Sequence, residues 1–114
     1  MEQYFQLDVL GILKQTKLPA NLAWLSEGDK QCLLLVHLGG EAGMHKTQAA
    51  KFDKQFPDII FKLEARDLLT WLTNSHGKQV SLSLTWKGED IAKLLLLVAR
   101  NESKKKRTPS PLGI

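Results

Sequence analysis

Ala49-Ala50-Lys51-Phe52, Leu63-Glu64-Ala65-Arg66-Asp67-Leu68-Leu69 and Ser83-Leu84-Thr85-Trp86-Lys87-Gly88 mark the part of the chain whose reading decides the fold. Lys46 to Lys54 predicts a short helix with Ala49, Ala50 and Phe52 inward. Pro57 suits the first turn of a helix but not its interior, so a second helix is expected to start near Phe56. Ile59, Ile60, Leu63 and Leu68 would form its buried face. Two helices this close in sequence form a helix-turn-helix unit. Beyond Asp67 the period changes to two. Leu69, Trp71 and Thr73 alternate with Thr70 and Leu72, and Val80, Leu82 and Leu84 alternate with Ser81 and Ser83. The polar loop Asn74-Ser75-His76-Gly77-Lys78 between these runs predicts a β-hairpin.

Working outward, Ser26-Glu27-Gly28-Asp29 reads as a capping-box variant opening a helix to about Leu38. Asp29 would sit in its first turn, where a negative charge suits the helix dipole. Gly39-Gly40 would end it, because glycine readily takes the left-handed cap conformation. Residues 3 to 15 predict an N-terminal helix that Pro19 and Asn21 interrupt. Thr85 is expected to cap a last helix from Trp86 to about Asn101. From Glu102 the chain carries a charge run, two prolines and no core-forming pattern, so residues 102–114 are expected to form a basic, disordered tail.

The length of 114 residues suits one domain, expected over residues 1–101, and 43% hydrophobic with 25% charged residues is ordinary globular material. A single cysteine, Cys32, excludes an internal disulfide and sits in an apolar run that favours burial. Glu2, Gln3 and Asp8 break any signal-peptide pattern, and the apolar run Leu94 to Ala99 is too short for a bilayer. A soluble, intracellular protein is therefore expected. The net charge of +4 is unevenly placed: twelve Lys or Arg face eleven Asp or Glu up to residue 101, and four face one beyond it.

Taken together, residues 47–97 resemble the winged helix-turn-helix regulators of the MarR-like and related types. In these proteins a "Leu-Glu-x-Arg-Gly-Leu" segment follows the recognition helix, and a wing leads to a "Leu-Thr-x-x-Gly-x-x-x-Ala" helix start. The matching residues here are Leu63-Glu64-Ala65-Arg66-Asp67-Leu68 and Leu84-Thr85-Trp86-Lys87-Gly88-Glu89-Asp90-Ile91-Ala92. Asp67 stands where glycine is usual, and aspartate tolerates left-handed turn geometry better than most residues. The resemblance implies an α+β, mainly α fold. Its core would be three helices plus a two-stranded wing, with additional N- and C-terminal helices. It also implies a DNA-binding transcriptional regulator of a bacterial or phage cytoplasm.

In that architecture the start of the second helix enters the major groove and the wing meets the adjacent backbone or minor groove. The residues expected to contact double-stranded DNA are Lys46, Thr47, Lys51, Lys54, Gln55 and Lys62. His76 and Lys78 would act from the wing, and Lys104, Lys105, Lys106 and Arg107 from the tail, which would add salt-dependent affinity. Asp58 and Phe56 in the same region are poor phosphate ligands. The last helix is apolar on more than one side, so a homodimer interface through Leu7, Leu10, Leu94, Leu95, Leu97 and Val98 is expected. The alternative is a winged helix protein-interaction module within a larger nucleic-acid or conjugation assembly. An enzyme is not expected. His37, His45 and His76 fit no metal-ligand spacing, Gly39-Gly40-Glu41-Ala42-Gly43 lacks the Lys and Ser or Thr of a phosphate loop, and no cofactor motif is present. Trp24, Trp71 and Trp86 are expected to pack in the core or at its edge.

Overall fold

The computed structural model of the chain describes residues 9–14 and 16–107, with side chains as far as residue 102. Among these residues the chain is mainly helical with one antiparallel sheet. Helix α1 is described over residues 9–14, and α2 (Glu27–Leu38), α3 (Lys46–Gln55), α4 (Ile59–Ala65) and α5 (Trp86–Arg107) follow. The strands are β1 (Met44–His45), β2 (Leu69–Thr73) and β3 (Gln79–Leu84), in the spatial order β1-β3-β2. The chain divides into two compact units, residues 25–92 and residues 1–24 with 93–114, with the division falling within α5.

The larger unit starts at the capping box. Ser26 Oγ accepts the Asp29 amide at 3.1 Å, and the Asp29 carboxylate accepts the Ser26 amide at 2.8 Å. Helix α2 then buries Cys32, Leu33, Leu34 and Val36. Gly39 ends it in a right-handed conformation, and the left-handed step falls one residue later, at Gly40 (φ 60°). Gly43 (φ 65°) leads into β1, where a Cβ would lie 1.8 Å from the Leu82 carbonyl oxygen. That close approach lets Met44 pair with Leu82 and His45 with Ser81. The sheet therefore has a third strand beside the expected two-stranded hairpin. Two residues are too few to show any periodicity.

Helix α3 begins where His45 Nδ1 accepts the Thr47 amide at 3.1 Å. It buries Ala49 and Phe52, whereas Ala50, expected inward, is exposed. Pro57 disfavours helical geometry in the residue before it, and Phe56 is accordingly extended (φ −129°, ψ 80°). Asp58 follows in the left-handed region (φ 69°), so α4 starts at Ile59 rather than near Phe56. Ile60 and Leu63 face the core. Gly28 of α2 packs beneath this turn, where a Cβ would come within 3.0 Å of Phe56 and 3.2 Å of Ile59.

Asp67 is also left-handed (φ 64°), the conformation expected at the position where glycine is usual. Thr85 ties the far end of the hairpin to it. Its hydroxyl donates to the Asp67 carbonyl at 2.6 Å and accepts the Gly88 amide at 3.1 Å, and its own amide donates to the Leu68 carbonyl at 3.1 Å. Gly88 is required here, because a Cβ would stand 2.1 Å from the Leu68 oxygen.

In the other unit Val9, Leu13, Leu22, Leu95 and Ala99 are buried. Helix α5 continues past the expected end near Asn101 to Arg107, so its last turns carry the basic run. Lysine and arginine are good helix formers, and positive charge at a helix C-terminus is favoured by the dipole. Residues 108–114 and the start of the expected N-terminal helix lie outside the described residues. No helix among the described residues is long and apolar enough to cross a membrane.

Candidate nucleic-acid interface

Three elements of the larger unit carry the expected contact residues. Helix α3 presents Lys46, Thr47, Lys51, Lys54 and Gln55, all exposed. Lys54, as expected, and Gln55, one residue past the expected end, lie in the last turn of α3, and α4 begins only at Ile59. The hairpin tip carries His76 and Lys78, also exposed. Asn74 shapes this tip: its Oδ1 accepts the amides of His76 and Lys78 at 2.9 and 3.0 Å, and Gly77 turns the chain at φ 76°.

Lys62 is placed differently from the rest. Its Nζ lies 2.6 Å from Asp29 Oδ2, and that carboxylate is fully buried. The lysine side chain is still 38% exposed, although its charge is engaged by the buried carboxylate. Asp29 thus has a second role besides the capping box: it joins α2 to α4 across 33 residues. Asp29 Oδ1 has no hydrogen-bond partner, which makes the lysine the main compensation for this buried charge.

The outward side of α4 carries residues to which the sequence pattern assigns no contact. Phe61 is 73% exposed and Glu64 is exposed beside it, with Asp58 at the helix start. A helical wheel was the available signal: with Ile60 and Leu63 inward, residues 61 and 64 must turn outward at about 100° per residue. Phe61 and Glu64 also border an open groove of about 310 Å³, lined in addition by Lys46, Ala49, Asp53 and Trp71. Of the tryptophans, Trp24 and Trp71 are half-buried, but Trp86 is 72% exposed, contrary to the packing expected of it. Lys87 Nζ stands 5.7 Å from its ring centre.

The charge is divided by unit. Residues 25–92 carry eight Lys or Arg against nine Asp or Glu, a net −1, and the remainder carries the net +5. Within the larger unit, Lys87 also lies 3.5 Å from Asp67, and His37 Nδ1 lies 2.8 Å from Glu89 Oε1 without aligned hydrogen-bond geometry. Cys32 is fully buried, and desolvation, reinforced by the Asp29 charge, pushes its thiol up to about 12. It is an inert core side chain at neutral pH.

Of the residues expected at a dimer interface, Leu94 and Leu97 are 40% and 50% exposed. Leu10 and Val98 are half-buried. Leu95 is fully buried within the chain and is thereby removed from the outward-facing set. Leu7 lies outside the described residues, as do the side chains of Lys104, Lys105, Lys106 and Arg107. Among the described residues, no three His, Cys, Asp or Glu side chains group to hold a metal ion. Comparison of the chain with protein-family models, curated proteins and solved structures finds no match.

Proposed function

We propose that residues 25–92, which include the start of α5, form a winged helix, and that the chain is a homodimeric DNA-binding transcriptional regulator. The observation that carries this reading is the polar row on α3. Lys46, Thr47, Lys51, Lys54 and Gln55 are all exposed, on the helix preceding α4 and a hairpin tipped by His76 and Lys78. Lysines at these positions attract phosphate without base preference, so they set affinity and orientation. The basic end of α5 adds to the same attraction. Lys62 contributes to the stability of α4 more than to DNA contact, because its ammonium neutralises Asp29. Leu94 and Leu97, one turn apart and both outward, support pairing of α5 with a second copy, which would match a palindromic site.

Two observations favour a second reading. The net −1 of residues 25–92 and the apolar groove beside Phe61 suit a protein-interaction module. Titration of a labelled duplex at several salt concentrations separates the two. The DNA reading expects binding that weakens steeply with salt. It also expects a Lys51→Glu, Lys54→Glu variant whose log–log slope is smaller by about 2, one counterion for each phosphate that the variant leaves unneutralised. Binding that survives this variant and disappears on removal of residues 104–114 would favour the second reading.

A further inference from the structure

We propose that the outward face of α4 reads pyrimidines, with Phe61 against the C5-methyl group of thymine and Glu64 accepting the exocyclic amino group of a neighbouring cytosine. The inference rests on the DNA-binding reading above and names the base chemistry that this face selects. Phe61 is 73% exposed and Glu64 is exposed. Three residues of helix separate them by about 4.5 Å along the axis and about 60° around it, so one face can present both to adjacent base pairs.

The polar groups around this face narrow the choice. Guanine is read by a guanidinium or ammonium offered to its O6 and N7. The one lysine of α4, Lys62, is drawn to Asp29 at 2.6 Å, and Arg66 lies beyond the last helical residue. A carboxylate in the major groove is repelled by phosphates and by every acceptor on the base edges. Cytosine offers it an amino donor on its own edge, whereas adenine places the N7 acceptor beside its amino group and thymine and guanine present acceptors. Phe61 has no directional bond to give, and the thymine methyl is the apolar feature of the groove that matches it. The α3 lysines Lys46, Lys51 and Lys54 supply the phosphate attraction that the two carboxylates of Asp58 and Glu64 oppose.

Selection from a randomised duplex library, using the full chain and its Glu64→Gln, Phe61→Ala and Phe61→Leu variants, tests this. The wild type is expected to enrich sites with thymine next to cytosine, each preferred about tenfold, within the range of a good base contact. Glu64→Gln should move the cytosine preference to adenine, because an amide can pair with adenine N6 and N7. Phe61→Ala should lose the thymine preference and keep the cytosine one, and Phe61→Leu should retain part of it. All three changes are at exposed positions, and circular dichroism verifies that each variant folds. A wild-type site that stays unchanged in every variant overturns the inference and leaves DNA binding standing. Failure of the wild type to enrich any sequence while still binding duplex also overturns it. Failure to bind duplex at all overturns the DNA reading itself, and this inference with it.

Discussion

Replacing Lys62 by methionine keeps the side-chain stem and removes the ammonium that lies 2.6 Å from Asp29 Oδ2. What remains is a carboxylate with no exposure, held by the Ser26 amide at 2.8 Å and with Oδ1 unpartnered. Removing one member of a buried ion pair destabilises by about 3–5 kcal/mol, since the other charge is left uncompensated in a low dielectric. Lys62 is 38% exposed, so water can reach the vacated position and the lower end applies, about 3 kcal/mol. At roughly 4 °C per kcal/mol for a domain of this size, the midpoint should fall by about 12 °C. Urea titration followed by circular dichroism gives the free energy directly. The Asp29→Asn, Lys62→Met double variant removes both charges and should be less destabilised than the sum of the singles by more than about 1 kcal/mol. A Lys62→Met protein within about 0.5 kcal/mol of wild type, or strictly additive singles, would refute the pairing. So would a variant of unchanged stability that binds DNA more weakly, since Lys62 would then be a phosphate ligand.

Other expectations follow from single interactions. Ser26→Ala removes the oxygen that accepts the Asp29 amide and should destabilise by about 1 kcal/mol in the same urea titration, whereas Ser26→Thr should not. Gly88→Ala puts a methyl group 2.1 Å from the Leu68 carbonyl oxygen, a backbone atom that cannot swing aside. A loss of about 3 kcal/mol or failure to fold is expected, read by thermal denaturation. The Cys32 thiol is raised from its ordinary 9.0 to about 12 in the folded chain, so stability should hold below about pH 9 and decline from there toward pH 12 as the unfolded thiolate forms. Cys32→Ser should remove much of that alkaline decline, and in the wild type a thiol reagent at about pH 8 should react only in denaturant.

Much of the local structure was legible because it is set by neighbours in sequence. Ser26 and Asp29 form their capping box within one turn, Asn74 to Lys78 closes its own loop, and Asp67 takes the left-handed conformation its position requires. What the sequence hid depends on distant partners or on competition between local signals. Asp29 signalled only a helix start, because its partner Lys62 is 33 residues away. Pro57 indicated a first helical turn, but Asp58 intervenes with a positive φ and delays the start of the second helix from about Phe56 to Ile59. Strand β1 exists because Gly43 lets the backbone approach Leu82, a condition that no pattern in Met44-His45 encodes. The exposure of Phe61 was available from helical spacing, since the buried face assigned to Ile59, Ile60, Leu63 and Leu68 leaves it out.

The threonine that clasps the hairpin bears on the order of folding. Thr85 and Asp67 are 18 residues apart, and the strands between them pair in sequence from a tight turn, so this part can close within microseconds of local search. The contact of Asp29 with Lys62 must close a loop nearly twice as long, with an entropy penalty larger by roughly 0.5 kcal/mol, and it also strips water from a charge. On these loop lengths the hairpin with the start of α5 is expected to form before α2 docks onto α4.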